Sequence, residues 1–371
     1  MGARFAFDEV VYLRDAGVEV TTIIPASMPG MMADLYTKEG LPIVDQDPNF
    51  YPPRPGRSIA NARALRKILR SLSPDIVHVH HVASCLFLRL ATGRRPAFKR
   101  IFEVHGPLHL ESPHTRLVDL RTRGPQDFYI ATSESVRKRY LGLGIPENDM
   151  TLVYSGSHTS EYMRPRRGLL RAELGIDEAT PLVGLVAWMY PPKAILGQRT
   201  GLKGHDLFIQ AIPRVLERIP DARFIFVGGV LAGAARYVDH LNELAGRLGV
   251  THVLTFLGGR DDVRDIQPDL DVAAHPSRSE NPGGSVYTLL AGVPTTGSSV
   301  GGIPEIVRHR ETGLIFPPDD APALASAIIE LLEDRTNALE MAARGQALAQ
   351  EMFDISKTAP KVLDFYEHVL G

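Results

Sequence analysis

A single cysteine, Cys85, stands in the whole chain of 371 residues. An internal disulfide is therefore excluded, and the composition fits a reducing compartment. Cys85 lies in the apolar run Ala83 to Leu88, where a small buried hydrophobe is expected rather than a nucleophile. No stretch reaches the roughly 18 to 20 apolar residues that span a bilayer, and no signal-peptide pattern opens the chain. Net charge is also lacking: the balance is −2 at pH 7, which removes the electrostatic footprint of a nucleic-acid binder. The N-terminal half is mildly basic and the C-terminal half mildly acidic, which leaves room for the first half to meet an anionic surface. These absences lead us to expect a cytoplasmic protein, with at most peripheral contact at the inner membrane face. What is present is ordinary for a globular protein: 44% hydrophobic and 23% charged residues, in a length that suggests two domains with a core each.

The stretch from Leu270 to Glu305 organises the rest. An apolar run, Val272 to Ala274, is closed by His275-Pro276-Ser277, passes through a polar turn to Glu280, meets Asn281-Pro282-Gly283-Gly284, and changes at Ser285 to helical spacing. That is a strand, a tight loop and a helix start. A second glycine pair, Gly301-Gly302, follows another apolar segment and precedes Pro304-Glu305. Glycines let a backbone approach a ligand closely, and the N–H groups opening a helix favour phosphate oxygens. A carboxylate beside such a loop would repel phosphate, so Glu280 is better read as an acceptor for sugar hydroxyls.

His275-Pro276-Ser277, Glu280, Gly292-Val293-Pro294 and Gly301-Gly302-Ile303-Pro304-Glu305 resemble the donor site of the retaining, metal-independent GT-B glycosyltransferases of family 4. The family's second glutamate, which holds the nucleotide ribose, falls at Tyr287, whose hydroxyl offers a hydrogen bond without charge. The resemblance implies an α/β, GT-B architecture: two Rossmann-like domains facing a central cleft, with a C-terminal helix crossing back to the first. The boundaries it suggests are 1–166 for an acceptor-binding domain, 167–352 for a nucleotide-sugar domain and 353–371 for the crossover helix. It implies a nucleoside diphosphate sugar, a UDP-sugar, as donor and a saccharide, lipid-linked or small-molecule hydroxyl as acceptor. No cofactor and no metal are expected. The rival reading is a non-catalytic nucleotide-sugar-binding partner of another transferase, favoured by Tyr287 and by Trp188, which stands where the family has arginine.

Lys203 opens a helix after the insertion that follows Trp188, and is assigned to the diphosphate, since a cation at a helix start is favourable only with an anion bound. Lys193 or Arg199 in that insertion would supply a second positive charge, and Arg260 would flank the base. Donor contacts are further expected from Asn281, Pro282, Gly283, Gly284, Ser285 and Tyr287, and from Gly2. Met1-Gly2-Ala3 falls where the family has Gly-Gly-Ala in the loop after its first strand, so that strand is expected upstream of the assigned start. His105-Gly106 follows the strand Arg100 to Val104, and by resemblance His105 faces the donor sugar; otherwise it is a solvated loop histidine. Ser155-Gly156 stands where Asn-Gly is usual.

Two further patterns concern metals. Asp45-Gln46-Asp47 imitates an Asp-x-Asp motif, but it falls in Met28 to Pro55, which reads as a long loop, whereas divalent phosphate sites need carboxylates on a rigid strand end. His78 and His80 share one face of the strand Asp75 to His81 at a zinc-like spacing. No third ligand is evident near them in sequence, so strand-end histidines facing a cleft is the expectation. Arg164, Arg166 and Arg167 read as a solvated linker.

Overall fold

The computed structural model describes residues 4–25, 31–47, 55–192, 200–230 and 234–371. They fall into two compact units, Met1–His158 with Met352–Gly371, and Thr159–Glu351. Gly2, Lys193 and Arg199 lie outside the described residues. Among the described residues no helix is long and apolar enough to cross a membrane.

The first unit holds a parallel pair, β1 (Thr22–Ile24) with β2 (Ile43–Asp45), and a four-stranded parallel sheet. In spatial order the sheet runs β3 (Ile76–Val79), β4 (Lys99–Val104), β5 (Asp127–Ala131) and β6 (Met150–Leu152). Strands covered on both faces need continuous apolar sequence, and β4 and β5 supply it with Ile101, Phe102, Val104, Tyr129 and Ile130. The C-terminal helix Ile355–Leu370 belongs to this unit, where Val362, Phe365 and Val369 pack against Ile101, Ile130 and Leu13. The segment expected as a loop carries a helix, Met31–Lys38, and β2. Tyr36 and Leu41 bury there against Phe7, a core too small to show as periodicity among so many prolines and glycines.

The second unit is one six-stranded parallel sheet. Its strands in chain order are β7 (Leu182–Val186), β8 (Arg223–Val227), β9 (Leu254–Gly258), β10 (Val272–His275), β11 (Thr295–Ser298) and β12 (Leu314–Phe316). In space they lie β9-β8-β7-β10-β11-β12. The chain thus winds outward one way from β7, returns to the middle, and winds the other way from β10. A crevice opens at such a switch point, beyond the C-terminal ends of the two central strands. The arginines expected as a solvated linker are anchored instead. Arg164 pairs with Asp265 at 2.5 Å and Arg166 with Asp271 at 2.9 Å, while the amides of Arg167 and Gly168 donate to Asp269. The Tyr162 ring lies tilted against that of Tyr287, with centroids 4.6 Å apart, and this segment belongs to the second unit.

Candidate functional site

Three loops meet beyond the C-terminal ends of β7, β10 and β11. The turn after β7 is fixed from below by Asp206, whose buried carboxylate accepts from the amide of Gly201 at 2.7 Å and from the Tyr237 hydroxyl at 2.6 Å. Burial, then the charge of Asp206, keeps that phenol protonated far above its ordinary range. The turn is also tied to the loop after β10: the amide of Arg278 donates to the carbonyl of Leu202 at 2.9 Å, and its guanidinium reaches Thr200. The loop after β11 closes the third side, with the amide of Gly302 donating to the carbonyl of Glu280 at 3.2 Å.

Two glycines set how closely these loops approach. Gly204 has φ +73°, and a Cβ there would lie 1.9 Å from the carbonyl oxygen of Pro276. Gly301 has φ +52°, and its Cβ would lie 1.7 Å from the carbonyl oxygen of Glu280. Backbone presses on backbone at both points, so only glycine fits.

The result is that Lys203 and Glu280 meet. The Lys203 ammonium pairs directly with Glu280 Oε2, with the two side chains 18% and 14% exposed, and Ser277 Oγ donates to the same oxygen at 3.2 Å. Behind them His275 is buried, with Nε2 3.0 Å from Thr288 Oγ1, and burial, then the charge of Lys203, brings its pKa down to about 3. His205 is equally buried and equally neutral, brought to about 3 by the same two causes in the same order.

The other expected donor residues divide. Asn281 and Pro282 are buried in the loop, and Gly283 and Gly284 lead into the helix Gly284–Leu290. Ser285 is fully buried with its hydroxyl committed to the carbonyl of Pro282, which leaves the backbone as what it offers a ligand. Tyr287 has its ring against Tyr162. Arg260 forks onto Asp262 at 2.8 and 2.7 Å and reaches Glu173 at 2.6 Å, so two carboxylates already balance its charge. Trp188 is 48% exposed and lies over Gly229.

His105 belongs to a cluster within the first unit. Its Nδ1 lies 3.1 Å from Ser155 Oγ, its Nε2 lies 3.5 Å from Glu103 Oε1, and its ring stacks on His80 at 5.7 Å. Burial, partly opposed by the charge of Glu103, holds it neutral with a pKa of about 3. His78 and His80 stack at 4.5 Å, and Glu103 and Glu9 face them. The partners missing beside these histidines in sequence are thus present in space. Glu103 sits inside an apolar strand and Glu9 inside an amphipathic helix, where nothing in the local pattern marks them. Burial and then the charge of Glu103 raise Glu9 well above the usual carboxyl range.

Two units built on parallel sheets, with a cation and a carboxylate brought together at a switch point, define a protein of the GT-B fold. The solved structure of Anabaena HepE with UDP and glucose superposes with a TM-score of 0.82 at 22% identity, over 99% of this chain and 96% of that one. The family described as Glycosyltransferase Family 4 matches residues 2–161, and Glycosyl transferases group 1 matches residues 194–334. The chain belongs to the family 4, group 1 glycosyltransferases. A GDP-mannose-dependent alpha-(1-6)-phosphatidylinositol monomannoside mannosyltransferase of Mycobacterium tuberculosis is 32% identical over 47% of this chain and 47% of its own length. The N-acetyl-alpha-D-glucosaminyl L-malate synthase of Bacillus anthracis is 25% identical over 95% of this chain and 88% of its own. The chain spans about half the length of the first of these relatives.

Proposed function

We propose that the chain is a retaining glycosyltransferase that moves a hexosyl group from a UDP-sugar to a hydroxyl of a saccharide, glycolipid or natural-product acceptor. The observation that carries this reading is the Lys203–Glu280 pair at the crevice between β7 and β10. A diphosphate in that crevice meets the Lys203 ammonium and the backbone around Gly283 and Gly284, with Lys193 or Arg199 as a second cation. Glu280 then turns from Lys203 to the donor-sugar hydroxyls, and Tyr287 takes the ribose edge.

Departure of the diphosphate is the barrier, so fixed positive charge aimed at its oxygens is the main source of rate. The acceptor oxygen bonds to the anomeric carbon on the face from which the diphosphate leaves. The carbon–oxygen bond to phosphate breaks with its electron pair on the phosphate oxygen, which takes the acceptor's proton. No metal or cofactor enters the step. His105, held neutral, offers a hydrogen bond to a sugar hydroxyl. A cytoplasmic location, with peripheral membrane contact for a lipid-linked acceptor, suits a donor made in that compartment.

UDP is favoured by HepE, which was solved with UDP and glucose, and GDP-mannose by the mycobacterial relative. Thermal melts with UDP, GDP and their sugars discriminate between them, because a ligand bound only by the folded chain raises its stability. Transfer assays across the same donors should show turnover that Lys203→Ala and Glu280→Ala remove. Near-normal rates in both variants would overturn the assignment. The second reading, a binding partner without catalysis, draws on the exposed Trp188 where the family has arginine, and predicts a nucleotide-dependent rise in melting temperature with no turnover on any acceptor.

A further inference from the structure

The first unit carries a second constellation, built from four side chains to which the donor chemistry assigns no role. β3 presents His78 and His80 on one face, β4 presents Glu103, and the helix Arg4–Asp15 presents Glu9. One nitrogen or carboxylate oxygen from each of the four lies within 4.8 Å of all the others. His78 Nε2 lies 3.3 Å and His80 Nδ1 3.2 Å from Glu103 Oε2. That is the spacing of ligands around one small cation, since bonds of ~2.0–2.1 Å in a tetrahedron put neighbouring ligand atoms ~3.3 Å apart.

The environment points the same way. Glu9 Oε1, His78 Nε2, His80 Nδ1 and Glu103 Oε2 are all buried, and none has a hydrogen-bond partner. The side chains of Glu103, Glu9 and His78 are 2%, 8% and 9% exposed. Folded proteins rarely leave such atoms without well-formed hydrogen bonds, and here His78 Nε2 and His80 Nδ1 both lie within 3.3 Å of Glu103 Oε2, with Glu9 Oε1 3.4 Å from His78 Nδ1. Their surroundings also orient them as metal ligands are oriented. Tyr366 Oη holds His78 Nδ1 at 2.8 Å, which turns Nε2 inward. Ser155 Oγ donates to Glu103 Oε1 at 3.4 Å, which leaves Oε2 for the centre.

We propose that Glu9, His78, His80 and Glu103 bind one divalent transition-metal ion of the zinc class. Two neutral imidazoles and two carboxylates balance a dipositive ion. The two nitrogens favour zinc over the oxygen-seeking magnesium and calcium. Four protein ligands close the coordination shell, so the ion is structural: it ties the helix Arg4–Asp15 to the edge strand β3 and fixes the carboxylate that His105 faces.

The test uses the whole chain, purified without chelator and assayed for metal by mass spectrometry, then stripped and titrated with zinc and with cobalt. The expected results are metal bound in equal molar amount, an intense tetrahedral cobalt spectrum, and a melting temperature that falls on stripping and returns with zinc. His80→Ala and Glu103→Gln should abolish the cobalt spectrum and the zinc-dependent rise. Glu9→Gln keeps the side-chain volume and should weaken binding at least ~10-fold, which decides the matter even where the other variants do not fold. A stripped wild-type chain that neither binds zinc nor melts higher with it overturns the proposal. So does a weak octahedral cobalt spectrum, or zinc held as tightly by all three variants as by the wild type. No nucleotide enters any of these readouts, so the outcome stands apart from that of the transfer reading.

Discussion

Lys203 and Glu280 neutralise each other when no anion is present, and that sets how each substitution should behave. Lys203→Ala removes the charge that a departing diphosphate needs, so kcat should fall by about 100-fold or more and nucleotide binding should weaken with it. Glu280→Gln keeps the shape and releases the ammonium from its partner. UDP should therefore bind at least as tightly while turnover drops, a split that calorimetry and initial rates together would reveal. Weaker UDP binding in Glu280→Gln would count against the assigned roles. Gly204 and Gly301 support the pair from behind. Alanine at either meets a carbonyl oxygen at under 2 Å in a left-handed backbone, and should cost about 2 kcal/mol or more in urea unfolding. Lys203, Glu280 and Gly301 stood out in sequence as residue types at loop positions, but nothing in their spacing showed that Lys203 pairs with Glu280 or that Gly204 presses on Pro276. The grouping of Glu9 and Glu103 with His78 and His80 was not legible either, because three separate elements bring these side chains together, and no local spacing records that.

At the scale of elements, the helix Val82–Thr92 is held to its sheet by charge as well as by apolar packing. Arg89, 3% exposed, donates to Asp127 at 2.8 Å, to Asp119 at 2.5 Å and to the Tyr129 hydroxyl at 2.7 Å. Arg100, fully buried on β4, donates to the other oxygen of Asp127 at 2.6 Å. One carboxylate on β5 thus serves two buried guanidinium groups. Asp127→Ala would leave both without it, and should destabilise the first unit by about 3–5 kcal/mol, since breaking a buried ion pair strands an uncompensated charge. Urea denaturation followed by circular dichroism measures this, and a loss under 1 kcal/mol would mean that water reaches the arginines. The strands themselves were readable as short apolar runs between turn residues. Arg89 shows why their attachment was not: a basic residue in an apolar helix reads as a surface position until its partners on another strand are in place. Likewise β2 and the helix Met31–Lys38 were hidden, because a few contacts to Phe7 rather than periodicity decide their structure.

For the molecule as a whole, these buried groups fix how stability should change with acid. His205 and His275 have pKa values of about 3 in the fold, lowered by burial and by Lys203. Free in an unfolded chain, a histidine titrates near 6.5. From pH 6.5 down to 3 the unfolded state therefore gains protons that the native state refuses. Stability present in full above pH 6.5 is lost as pH falls, by about 1.4 kcal/mol per pH unit for each histidine. Asp119 acts later. Its carboxyl is held at about 2: burial opposes this, and the hydrogen bond from His109 and the charge of Arg89 outweigh it. Its contribution is complete above the ordinary aspartate range near 3.9 and is lost as pH falls through about 2. The decline should thus begin near pH 6.5, on the histidines, well before carboxylate pairs such as Asp119 with Arg89 open. Urea midpoints measured from pH 8 to 4 test this. His275→Asn, which keeps a polar group beside Thr288, should make the limb shallower by one proton. A limb of unchanged slope in that variant, or a wild-type midpoint flat from pH 7 to 5, would show that His275 is protonated in the native chain and that Lys203 does not repel it.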